Sequence, residues 1–218
     1  EKYSSGESSS SADNTTQVSI GYMVMFVMFT VIFGAGEILE EKKNNTWARL
    51  NASPTKRSTI MLGKIGGSFA RGWVQVAFLI LFGRYVMGVN WGSRIGATVI
   101  LVSIYLLSVT GMGIFISSFV RTNAQLGAFS SVIIICTSMV SGCWWPVEVQ
   151  PLFMQRIAVF FPQYWAVKGL TSTVTVELGL KSVLHPILSL AAIAAVFFTL
   201  SLLTSQSLPS RLSLGRYR

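Results

Sequence analysis

IGATVILVSIYLLSVTGMGIFISSFV, residues 95–120, contains no charged side chain and outruns the ~20 apolar residues that cross ~30 Å of hydrocarbon. It reads as a spanning helix that stops at Arg121-Thr122-Asn123. On either side the pattern repeats, at 18–38, 61–82, 124–141 and 183–205. The first of these is rich in Met and Phe, with Met23, Met25, Met28, Phe26, Phe29 and Phe33. The expected fold class is all-α: a polytopic membrane helical bundle with about five transmembrane helices. Composition agrees, because charged residues make up 11% of the chain against roughly 25% in soluble domains.

The net charge of +9 invites a nucleic-acid reading, but the basic residues sit in the loops between the spans. That is the positive-inside pattern of a membrane protein, so no nucleic-acid partner is expected. One side of the bundle holds Lys42, Lys43, Arg49, Lys56, Arg57, Lys64, Arg71, Arg121, Arg211, Arg216 and Arg218, eleven of the 17 Lys and Arg. Six remain for the other: Lys2, Arg84, Arg94, Arg156, Lys168 and Lys181. The count places the segment 39–57 and the C-terminal tail, 206–218, in the cytoplasm. The Ser-rich stretch 1–17 is then an external polar tail. The chain begins at Glu1 without a signal peptide, so it reads as the downstream part of a longer polypeptide, with a spanning helix expected before it. Cys136 and Cys143 lie seven apart, about 10 Å along a continuous helix, too far for a disulfide.

Between the first two spans lies GEILEEKKNNTWARLNASPTKRSTIMLGK, residues 36–64. Trp47 and Leu50 are three apart, on one face of a short helix. Asn44-Asn45 can cap it and Ser53-Pro54 stops it. Two uses fit equally: an interfacial helix with its Trp at headgroup depth, or an element held against another protein. Gly63-Lys64 is no phosphate loop, because that motif needs Gly where Ser58 stands and Ser or Thr where Ile65 stands.

The segment resembles a characteristic stretch of ABC-2-type transporter permeases, a Glu-rich helix end followed by G-T-W-x-R-L-x-x-S-P and a Gly-Lys. Here it reads Glu40-Glu41-Lys42, then Asn45 through Pro54, then Gly63-Lys64, with Asn45 where Gly is usual. Downstream, Ser141-Gly142-Cys143-Trp144-Trp145-Pro146-Val147-Glu148 resembles the family's S-G-x-x-x-P-x-E exit from the penultimate span. Residues 151–158, with Phe161-Pro162, resemble the external helix that follows. The resemblance covers nearly the whole chain from Gln17 and implies six spans per permease.

It also implies that 39–57 is a cytoplasmic coupling helix seated on an ATP-binding cassette subunit. Glu40, Glu41, Thr46, Trp47, Arg49, Leu50, Pro54 and Arg57 would carry the contact. ATP and Mg would sit on that partner, leaving this chain non-catalytic and without a cofactor of its own. A second permease, identical or related, would complete the pathway.

The segment 142–168 has two readings. Its Trp and Phe side chains form an aromatic belt at the outer interface, or an external gate of short re-entrant helices. The gate would use Gly142, Trp144, Trp145, Pro146, Glu148 and Pro162, with Glu148 buried or paired. In the fourth span Gly127, Ser131, Ser138 and Ser141 share a face suited to close packing. The alternative, which the resemblance would place on this span and the first, is a substrate-lining wall or dimer seam, with Met25, Phe29, Phe33, Ser131 and Ser138 as the pathway lining. Lys64, Ser68, Arg71 and Gln75 form one polar stripe on the second span, facing the bundle or snorkelling to the interface. His185 has no neighbouring ligand type in the sequence, so metal chemistry has little to build on.

The functional expectation is a multi-pass permease of the cell (inner) membrane. It would be driven by ATP and export a hydrophobic or amphipathic substrate: a lipid, an antibiotic or another small natural product. An ion-gradient-driven transporter is the alternative, though it should show ionisable residues deep in the spans. A membrane anchor or assembly subunit is the other.

Overall fold

The computed structural model describes residues 4–34, 36, 57–89, 91, 95–120, 122–174 and 180–206 of the 218-residue chain. Among them, all regular structure is helical: α1 (Ser4–Gly34), α2 (Arg57–Tyr85), α3 (Ile95–Ser117), α4 (Asn123–Val140), α5 (Leu152–Ala158), α6 (Pro162–Val174) and α7 (Leu180–Gln206). A 3-10 turn, Val147–Val149, precedes α5. Five helices are long and apolar enough to cross a membrane, over Thr15–Gly34, Leu62–Tyr85, Ile95–Ser117, Asn123–Val140 and Val183–Ser201.

The opening stretch of sequence forms the central helix. A helix that is apolar all round has no solvent face and tends to be enclosed. In α3, 61% of the span is buried, against 17% in α2. Its most extensive contact is with α7, and α1, α6 and α2 close around it. Two polar side chains join it to its neighbours. The Tyr105 hydroxyl donates to the Val24 carbonyl of α1 at 2.8 Å, and the Ser108 hydroxyl to Leu190 of α7 at 2.8 Å. Inside a bilayer such bonds each contribute about 1 kcal/mol and fix which faces meet.

The polar stripe of α2 faces α1. Ser68 is buried, the Gln75 amide donates to the Phe26 carbonyl at 3.2 Å, and Arg71 reaches the Ser68 hydroxyl at 3.5 Å. The guanidinium also covers Gly34 at the end of α1. Gln75 and Arg71 thus reach α1, which is how intramembrane polar groups avoid lipid.

Local chemistry starts and stops α4. Thr122 is extended (φ −134°, ψ 153°) and its side chain accepts from the Gln125 N–H at 3.2 Å, an N-cap that contributes about 1 kcal/mol. At the other end the Cys143 N–H returns to the Ser138 carbonyl at 3.1 Å, while Gly142 takes φ +85°. A six-to-one closure followed by a left-handed glycine is a Schellman-type stop. It turns the chain out of the span and into the aromatic segment.

Candidate functional site

The aromatic segment meets the middle of α1, around residues 17–25. Gly21 makes this possible. A Cβ placed there would fall on the Cys143 carbonyl oxygen, so only glycine lets the α1 backbone lie against the turn after α4. Trp144 then leans over α1, its indole N–H 3.3 Å from the Met25 sulfur, with Trp145 edge-on at 6.2 Å.

Glutamines pin this cap to the span. The Gln150 side chain donates to the Met139 carbonyl at 3.1 Å, taking one of the acceptors that α4 leaves open at its C-terminus. Gln155 in turn donates to the Gln150 carbonyl at 2.8 Å. Gln163, with no exposed surface, donates to the Thr137 hydroxyl at 2.6 Å, and that hydroxyl donates to Ile133 at 2.7 Å. The Trp165 indole closes the α5–α6 corner on the Val159 carbonyl at 2.8 Å, and its ring lies tilted against His185 at 4.9 Å. The cap is thus a hydrogen-bonded lid over the end of α4.

Thr137→Val tests that description. It leaves the Gln163 amide buried without its acceptor, at a cost of about 1–3 kcal/mol. The double variant Thr137→Val/Gln163→Met removes both polar groups and is expected to recover most of the loss. Thermal unfolding in detergent reads both, and equal destabilisation of single and double variants would contradict the lid.

Of the gate residues expected from sequence, Gly142, Trp144, Trp145 and Pro146 line a cavity of about 230 Å³ together with Gln17 and Val18. Pro162 is buried at the first turn of α6. Glu148 differs from expectation: it is exposed, because no residue of the short 3-10 turn is buried. The candidate lining residues separate. Met25 and Ser138 are buried inside this chain, Met25 beneath Trp144 and Ser138 beside the Cys143 thiol. Phe29 and Ser131 are half-buried. Phe33 is 43% exposed on the outer face of α1, where its ring reaches towards Gly127 of α4. Burial pushes the Cys143 thiol up to about 12, with the Ser138 hydroxyl opposing, so it stays protonated and serves packing.

The segment assigned to coupling lies elsewhere in the chain. Glu40, Glu41, Thr46, Trp47, Arg49, Leu50 and Pro54 fall outside the described residues, and Arg57 is the first residue of α2. Sequence reasoning missed Gln150, Gln155 and Gln163. Their signal is amide side chains amid apolar and aromatic residues just after a span, where an unpaired amide is costly.

Comparison with known proteins bears on the whole chain. Residues 2–203 match the family described as "ABC-2 family transporter protein". The chain is similar to the linearmycin resistance permease protein LnrN of Bacillus subtilis (strain 168). They are 39% identical over 191 residues, 88% of this chain and 49% of that protein. It is also 27% identical over 180 residues to the inner membrane transport permease YhhJ of Escherichia coli (strain K12), 81% of this chain and 47% of that one. The protein of the same name from Shigella flexneri matches to the same extent. The chain spans about half the length of the curated relatives it matches.

Proposed function

Since the chain belongs to the ABC-2 family of transporter proteins, and so is part of a multi-pass membrane transport permease, we propose that it works in an ATP-driven exporter. ATP and Mg are held by a separate ATP-binding cassette subunit, and a second permease, identical or related, completes the pathway. The segment 39–57 and the C-terminus face that subunit in the cytoplasm, and the tryptophan cap is the external gate. The substrate is a hydrophobic or amphipathic small molecule.

The observation that carries this reading is the similarity to a permease named for linearmycin resistance. Outward transport of a toxic compound is a direct way for a permease to give resistance. The spans add two supports. None of the five contains Asp or Glu, so they lack the carboxylates on which proton-driven transporters build relays. Tyr22, Phe26 and Phe33 of α1, with Phe129 and Val132 of α4, leave exposed apolar surface for lipid or a second permease to cover.

The test is transport by the full-length protein, reconstituted in vesicles with its partner subunits. Export is expected to stop when ATP is withheld and to persist when the proton gradient is collapsed. Export that survives without ATP and fails with the gradient would overturn the proposal in favour of an ion-driven carrier.

A further inference from the structure

A second cavity, of about 240 Å³, lies beside the tryptophan pocket, between Gln17 of α1, the turn after α4 and α6. Gln17, Ser141, Glu148, Tyr164, Lys168 and Ser172 line it. Opposite charges share this space without neutralising each other. Glu148 and Lys168 are both exposed, and no ion pair joins them. Lys168 is instead held by its own helix, its ammonium 3.3 Å from the Tyr164 hydroxyl and lying over the Tyr164 and Trp165 rings at 5.4 and 5.7 Å. Cation–π contact positions a cation while leaving its other donors open.

The rest of the lining supplies neutral partners. The Ser141 side chain has no exposed surface, yet it borders the cavity and its hydroxyl oxygen has no hydrogen-bond partner. A buried hydroxyl left so costs free energy that a ligand or water can recover. The Ser172 hydroxyl donates to the Lys168 carbonyl at 2.8 Å, which leaves its lone pairs for an incoming N–H. The cavity lining therefore offers a cation, hydroxyl and amide groups, and a carboxylate. Tyr164 lines it, and it shares Gln17 and Gly142 with the pocket of Trp144 and Trp145, side chains that favour headgroup depth in a bilayer.

We propose that this cavity binds the zwitterionic headgroup of a phospholipid bearing a primary ammonium, as in phosphatidylethanolamine. The phosphate faces Lys168, Tyr164 and the Ser141 hydroxyl, and the ammonium faces Glu148. A phosphate alone leaves Glu148 unmatched and repelled, and an amine alone leaves Lys168 so, which is why both charges are required. The site belongs to a single chain and needs neither nucleotide nor a second permease.

Native mass spectrometry of the full-length permease in detergent tests this, with dioleoyl phosphatidylethanolamine and dioleoyl phosphatidylglycerol as probes. The two share acyl chains and phosphate and differ in the ammonium. Retention of the ethanolamine lipid is expected to exceed that of the glycerol lipid by about tenfold, a difference of roughly 1.4 kcal/mol. Glu148→Gln should erase the preference, weakening the ethanolamine lipid and relieving the glycerol lipid of repulsion, and Lys168→Gln should weaken both. Both side chains are exposed, so unfolding temperatures should stay at the wild-type value. Competition with free phosphoethanolamine identifies the source: displacement shows that the headgroup chemistry suffices, and failure to displace shows that acyl chains share the contact, as for a bilayer lipid. Equal retention of the two lipids by the wild-type chain, or a preference that survives Glu148→Gln, would overturn the proposal.

Discussion

Gly21→Val is expected to destabilise the permease by about 3 kcal/mol or more, the upper end of what overpacking costs. Most overpacked sites yield by moving a flexible side chain. Here the new Cβ meets the backbone of Cys143, in a turn held by the Cys143–Ser138 bond and by Gly142 at φ +85°. The turn cannot retreat without breaking the stop of α4, and α1 cannot retreat without uncovering Met25 and breaking the Trp144 contact. The whole cap should loosen together. Thermal unfolding in detergent, read by tryptophan fluorescence, should show a fall of several degrees and a red shift of the native emission as Trp144 and Trp145 become wetter. Gly21→Ala should do the same to a smaller extent. Unchanged unfolding and emission in both variants would mean that α1 and the cap are not in contact.

Trp47→Asp is expected to reduce transport by the complete assembly at least about tenfold, with membrane insertion and permease stability unchanged. An aromatic anchor buried in a partner's groove commonly accounts for 2–4 kcal/mol of an interface, and a carboxylate in its place adds a desolvation cost. The prediction rests on the proposal that residues 39–57 seat on an ATP-binding subunit. Trp47→Phe keeps much of the apolar area and should keep most of the activity. Co-purification of the ATPase separates the causes: loss of both binding and transport supports coupling through this segment. Transport at the wild-type rate in Trp47→Asp would remove the segment from the interface and return it to the bilayer surface.

Much of the architecture was legible because membrane spans announce themselves. A backbone in lipid must satisfy its own hydrogen bonds, so 95–120 had to be helical wherever its neighbours lay. The turn after α4 was visible for a similar local reason, since Gly142, Pro146 and Pro162 are turn and helix-start residues in a fixed order. Its lid-like character was not. Gln163 looks like any polar residue after a proline until Thr137, 26 positions earlier, is seen 2.6 Å away. Under the gate reading Glu148 was expected to be buried or paired, but it stands exposed on a three-residue turn none of whose residues is buried.

Span number, all-helical class and family membership were thus determined by the sequence itself. Each depends on local apolar length or on motifs read in order along the chain. Which helix is central, which polar groups meet and where the cavities lie were decided only by tertiary structure. α2 and α3 are both apolar enough to span, yet α3 is enclosed and α2 is mostly uncovered, because burial depends on how many neighbours surround a helix. Likewise nothing local in Gly21, Ser141 or Lys168 says that they border one another's elements. That follows from α1 crossing the turn after α4 at backbone contact, a distance that a missing side chain permits and the folded chain alone reveals.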